Sequence, residues 1–192
     1  MKVIGINGST RKDGNTAIAI KKVFDVLEKA GIDTELIQLA GKPVSGCNAC
    51  YACFKSKDKK CINDNDIINE CIEKMSSADG IILGSPIYFS DVTAGMKALI
   101  ERAGYVSRAN DYLFKHKVGV AVTAVRRGGA THAFDTINHF FQWNQMFLVG
   151  STYWNMVYGK DIGEAESDME GIVNMENLGE NMAELLEKLK DR

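Results

Sequence analysis

GIILGSPIYFSDVTAGMKALIER, residues 80–102, carries the fold in three consecutive segments. Gly80 to Gly84 is an unbroken apolar run, as expected of a central strand buried on both faces. Ser85 to Asp91 forms a turn stiffened by Pro86, and from about Val92 to Val106 the apolar residues return at helical spacing. Strand, loop and helix in that order are the repeating unit of a parallel sheet.

The same unit recurs on both sides. Val3 to Ile6 reads as a buried strand, followed by a Gly-rich turn and an amphipathic helix from about Thr16 to Lys29 that Gly31 ends. A second strand spans Thr34 to Leu39. Asp64 or Asn65 can cap a helix running to about Ser76, whose stripe of Ile67, Ile68, Cys71, Ile72 and Met75 assigns Cys71 to the core. Val118 to Ala124 is a fourth strand, Thr131 to Gln142 a helix, Met146 to Val149 a fifth strand, and Met175 to Lys190 a closing helix. A doubly wound, five-stranded parallel α/β sheet in the order 2-1-3-4-5 follows, with ligands expected beyond the carboxyl ends of the strands.

The 192 residues, 45% hydrophobic and 25% charged, suit one domain over 1–192, with a cysteine-rich insertion at about 43–63 and a C-terminal extension at about 150–192. A net charge of -2 favours neither nucleic acid nor an anionic membrane surface. No signal peptide and no run of eighteen apolar residues is read in the chain, so a cytoplasmic protein is expected.

One loop points to a phosphate-bearing ligand. NGSTRKDGNT, residues 7–16, presents the hydroxyls of Ser9, Thr10 and Thr16, the Asn15 amide and backbone N–H groups at a helix start, with Arg11 to complete neutralisation. It has neither the lysine of GxxxxGK[ST] nor the glycines of GxGxxG, which excludes a P-loop triphosphatase and a standard dinucleotide fold. TAVRRGGA, residues 123–130, ends the fourth strand with glycines that permit close backbone approach and arginines that can offset negative charge.

A third element interrupts the alternation. In GCNACYACFKSKDKKC, residues 46–61, Cys47, Cys50 and Cys53 recur at two-residue gaps, and Cys61 follows after seven more residues. Three thiolates within seven residues can curl over one corner of an iron-sulfur cubane, which is the favoured reading. Zinc, which usually draws two separated pairs, is the first competitor, and free thiols or a redox disulfide the next. Lys55, Lys57, Lys59 and Lys60 either attract an acidic redox partner or keep the loop soluble. His132 and His139 lack a third ligand and are read as surface or interface residues.

The loop of residues 84–102 resembles that of the flavodoxin-like NAD(P)H-dependent FMN reductases, and its pairing with the cysteine run resembles the iron-sulfur flavoproteins. The resemblance implies a flavodoxin-like fold with FMN held by Ser9, Thr10, Arg11, Asn15, Thr16, Ser85, Pro86, Ile87, Tyr88, Phe89, Thr123, Ala124, Arg126, Gly128 and Gly129. It implies a [4Fe-4S] cluster on Cys47, Cys50, Cys53 and Cys61, with the flavin rather than any side chain carrying the chemistry. Lys97 and Arg102 are read as structural or solvated. The resemblance also implies NAD(P)H or a ferredoxin-like protein as redox partner and a homodimer or homotetramer. A cluster-free NAD(P)H-dependent FMN or quinone reductase is the alternative enzyme, and a zinc-stabilised, non-catalytic binding protein the alternative of another class.

Overall fold

The computed structural model describes residues 1–41 and 43–190; Asp191 and Arg192, the end of the expected C-terminal extension, lie outside them. The strands are β1 Lys2–Asn7, β2 Asp33–Gln38, β3 Gly80–Pro86, β4 Val118–Val125, β5 Phe147–Leu148 and β6 Met156–Tyr158. The helices are α1 Asn15–Lys29, α2 Ala52–Ser56, α3 Ile68–Ser77, α4 Ala94–Ala109, α5 Ala130–Trp143 and α6 Met169–Leu189. Pairing is parallel throughout, in the order β2-β1-β3-β4-β5, so the flavodoxin-like topology stands as expected.

β3 shows why its sequence decides the architecture. Ile81 and Leu83 point into the layer made with α3, α4 and α5, among Ile68, Leu99 and Phe141. Ile82, on the opposite face, packs with Ile20 and Leu27 of α1 and with Met175 and Leu178 of α6. Each such fully buried side chain stabilises the fold by roughly 1.5–3 kcal/mol. Gly84 lets the end of the strand close on α1: a Cβ there would stand 2.6 Å from Ile20 Cδ1 and 3.0 Å from Thr16 Cγ2.

Three local expectations change. The fifth strand is broken: Val118 and Gly119 pair with Phe147 and Leu148, whereas Thr123 to Val125 pair with β6. Asn155 bridges the gap, its Nδ2 donating to the Ala121 carbonyl (3.0 Å) and its own carbonyl accepting from Thr123 N (2.9 Å). α3 starts at Ile68 with Ile67 at the N-cap position and no side-chain cap there, so neither Asp64 nor Asn65 caps it; the Ile68 N–H instead donates to the Asp66 carboxylate just ahead (3.1 Å). α6 begins at Met169 rather than near Met175, because the Asp168 side chain accepts from Gly171 N (3.1 Å) and caps an earlier start.

Candidate functional site

The loops after β1, β3 and β4 meet at the carboxyl rim of the sheet around a cavity of ≈ 300 Å³. Ser9, Arg11, Asn15, Thr16, Pro86, Ile87, Tyr88, Ala124 and Arg126 line it, as do Gly159 and Lys160. The β1 loop is held from outside: Gln38 Nε2 donates to the Ser9 carbonyl (2.7 Å), and Asn7 Nδ2 donates to Gln38 Oε1 (2.7 Å). Within the loop, Arg11 N donates to Ser9 Oγ (3.1 Å). Across the mouth, the Thr10 hydroxyl and the Tyr88 phenol lie 2.9 Å apart.

Thr16 is the informative residue of this cavity. It is buried at the start of α1, where no side chain caps the helix, and its hydroxyl has no hydrogen-bond partner. Leaving a buried hydroxyl unpaired costs about 1–3 kcal/mol, a penalty that an anionic oxygen at the helix start would remove. The residues present therefore fit the phosphate of a mononucleotide.

Not every predicted residue lines the cavity. Ser85 and Thr123 are fully buried in the sheet ends. Ser85 Oγ donates to the Pro86 carbonyl and accepts from Thr93 N, so it shapes the turn and the α4 start from behind. Phe89 stands fully exposed at φ +50°, on a tip closed by two backbone hydrogen bonds between Tyr88 and Asp91. Gly128 is open, and Gly129, at φ +85°, packs against Ser90. Asn15 faces the C-terminal extension: Nδ2 donates to the Asp161 carbonyl (2.9 Å), and Oδ1 accepts from Gly163 N and Ala165 N (3.2 Å each). These bonds bring Gly159 and Lys160 into the wall. Gly159 is the sequence signal for that approach, since a Cβ there would stand 2.5 Å from Asn15 Nδ2.

The cysteine loop leaves the carboxyl end of β2 but then runs along the length of α4, not over the cavity. Val44 lies beside Gly95 at the helix start, Tyr51 meets Tyr105 edge-on (5.9 Å between centroids), and Lys59 N donates to Asn110 Oδ1 at the helix end (3.2 Å). Its neck is closed by Asn63 Nδ2 donating to Ser45 Oγ (2.6 Å). Cys47, Cys50, Cys53 and Cys61 line one small cavity with Tyr51, Arg102 and Tyr105, sharing no lining residue with the first cavity. α2 gathers this wall, with Tyr51 and Lys57 left-handed at its two ends.

Two adjacent α4 residues grip the loop. Glu101 Oε2 accepts from Cys47 N (3.2 Å), and Arg102 Nε donates to Cys61 Sγ (3.3 Å). Arg102 is fully buried. Its remaining donors reach the carbonyls of Ser45 and Asn63 and the Asp66 carboxylate (2.5 Å to the last). Burial works against the Asp66 charge, but Arg102 and the N–H groups of Ile68 and Ser45 outweigh it and hold the carboxyl below its ordinary value. Burial pushes the Cys53 thiol up, and the Cys61 and Cys47 sulfurs push it further. Sequence reasoning left Arg102 as structural or solvated; it is buried, and its partners lie on a loop far away in the chain.

Among the described residues no three His, Cys, Asp or Glu side chains converge as a ready-made metal-ion site. Cys47, Cys50, Cys53 and Cys61 nonetheless line one shared cavity, and four thiolates are a donor set that an iron-sulfur cubane or a zinc ion takes. Among the described residues no helix is long and apolar enough to cross a membrane.

Comparison with known proteins agrees with this architecture. The family profile described as NADPH-dependent FMN reductase matches residues 1–161. An iron-sulfur flavoprotein of Methanocaldococcus jannaschii is 37% identical over 197 residues, covering 99% of this chain and 100% of that protein. Another, of Methanosarcina thermophila, is 31% identical over 192 residues, covering 99% and 97%. Among solved structures, a flavodoxin from the domain Archaea superposes with a TM-score of 0.63 at 16% identity, over 97% of this chain and 99% of that one, a likeness of fold. With the flavodoxin-like topology in place and relatives aligned over nearly its whole length, the chain belongs to the NADPH-dependent FMN reductase family and, within it, to the iron-sulfur flavoproteins.

Proposed function

We propose that the chain is an FMN-dependent oxidoreductase that passes electrons between a [4Fe-4S] cluster on Cys47, Cys50, Cys53 and Cys61 and a flavin in the cavity at the sheet rim. The observation that carries the flavin assignment is the buried, unpartnered Thr16 hydroxyl at an uncapped helix start inside that cavity. When bound, the flavin would supply hydride and electron chemistry and the cluster one-electron storage.

The chain's own contribution is binding and orientation. Ser9, Arg11 and Thr16 would hold the phosphate, with Lys160 adding charge at the wall. Pro86, Ile87, Tyr88 and Ala124 form the surface for a flat ring, and Arg126 offsets negative charge at its edge. Thr10 steadies Tyr88 across the opening. The exposed Tyr153 and Trp154, together with the groove of ≈ 360 Å³ between α4 and α5, support self-association as a dimer or tetramer, which sedimentation would check.

Anaerobic purification followed by flavin, iron and sulfide analysis tests the proposal. About one FMN and about four irons per chain are expected. Cys50→Ser should remove the iron and leave FMN bound. Wild-type protein carrying FMN but no iron would sink the cluster assignment. It would leave the second reading, a cluster-free NAD(P)H-dependent reductase, which the description of the family profile favours.

A further inference from the structure

Cys61 is held more tightly than the other three cysteines of its loop. Its backbone is fixed from α3 by Asn69, which accepts from Cys61 N (2.8 Å) and donates to the Cys61 carbonyl (2.9 Å). Its sulfur receives the Arg102 Nε–H at 3.3 Å from a guanidinium with no solvent exposure. Cys50, by contrast, is exposed. Asp66 balances the guanidinium charge, so it is the N–H donated to the ligand sulfur, buried away from water, that stabilises the more electron-rich state of the group the sulfur holds.

Arg102 also occupies a particular place along α4. The helix starts at Thr93, whose Oγ1 donates to the Gly8 carbonyl in the phosphate loop (2.8 Å). Arg102 lies nine residues further on, about 13 Å along the axis at 1.5 Å per residue. One rigid helix thus carries the flavin loops at its start and the cysteine loop on its third turn.

We propose that Arg102 is a positioning residue that raises the reduction potential of the cluster through its contact with the Cys61 sulfur, an inference that rests on the cluster assignment above. Cys61 is the cysteine whose sulfur accepts from a charged side chain, whereas the Cys47 sulfur accepts from the Ala49 backbone N–H and Cys50 faces solvent.

The test compares wild type, Arg102→Gln and Arg102→Lys, each purified anaerobically, by flavin content, iron content and the midpoint potentials of both centres in a dye-equilibrated redox titration. In Arg102→Gln the ratio of reduced to oxidised cluster at a fixed solution potential should fall about tenfold, the size of one charged hydrogen bond, with the flavin midpoint unchanged. Arg102→Lys keeps the charge but loses the forked donors, and a smaller fall is expected. It also carries the test should the glutamine variant fold poorly. An iron-replete Arg102→Gln with the wild-type midpoint overturns the inference, as does loss of iron from both variants with flavin retained, which would make Arg102 a clamp only. Iron-free wild-type protein is a different result: it removes the cluster assignment itself.

Discussion

Asn15 and Asp161 are 146 positions apart, yet the Asn15 amide donates to the Asp161 carbonyl at 2.9 Å while its oxygen accepts from the N–H groups of Gly163 and Ala165. One side chain at the first residue of α1 thus seats the C-terminal extension beside the phosphate loop. Asn15→Ala should lower the unfolding free energy by about 2–3 kcal/mol, at roughly 1 kcal/mol per hydrogen bond. Asn15→Asp keeps both acceptor bonds and should cost less stability, yet weaken FMN more, because it sets a negative charge near the phosphate. Urea unfolding and fluorescence titration with FMN separate the two effects, and equal behaviour of the variants would disprove the seating role.

Thr16 makes a prediction of opposite sign for stability and binding. Thr16→Val removes a buried hydroxyl that nothing satisfies, so the flavin-free protein should be as stable as wild type or more so. FMN affinity should fall about tenfold, since the phosphate loses a donor. Calorimetric titration of the flavin-free variant checks both; unchanged affinity would place the phosphate elsewhere.

Phe89 and Ser90 both have positive φ, +50° and +62°, at the tip between Tyr88 and Asp91. A bulky side chain there costs about 1 kcal/mol, and the exposed ring recovers none of it within the chain. Phe89→Gly should therefore raise stability by roughly 1 kcal/mol, read as a higher urea midpoint. A lower midpoint would mean that the ring packs against something in solution, such as a second subunit.

Glu35 on β2 accepts from Lys2 (2.6 Å) and pairs with Lys74 of α3 (2.9 Å). The hydrogen bond from Lys2, then that from Lys74, holds its carboxyl below the ordinary value. A depressed carboxylate stabilises the fold above its unfolded pKa and loses that contribution as pH falls through the folded one. The stability gap between wild type and Glu35→Gln should thus be present at pH 7 and close below about pH 4. Because all three groups are partly exposed the gap is small, and paired urea titrations at pH 7 and pH 3 should resolve it.

Much of this was legible in the chain because local rules govern it. The β3 run and the buried stripe that placed Cys71 in the core follow from periodicity, and the sheet order matches, whereas the loops after β3 and β4 were read from the family resemblance. Harder to read were bonds between distant segments. Asn15 carries a donor suited to phosphate, and only the return of residues 161–165 shows it engaged with backbone. Ser85 sits in a loop motif but turns inward to bond Thr93. The break between β5 and β6 depends on Asn155 reaching Ala121, which no propensity encodes. Arg102 looked like one more charge on a helix until its four partners, none of them on α4, came within reach.

The burial of Cys71 gives the molecule an internal reporter of its own unfolding. Burial first, then the Glu70 and Asp66 charges, pushes that thiol up to about 12, so at neutral pH it is neither ionised nor reachable. The other four cysteines lie on a surface loop, Cys50 exposed and Cys47, Cys53 and Cys61 half-buried, so they react before the fifth, which waits for the core to open. The slow last step of a labelling time course then measures how often the core around α3 opens, with no engineered probe.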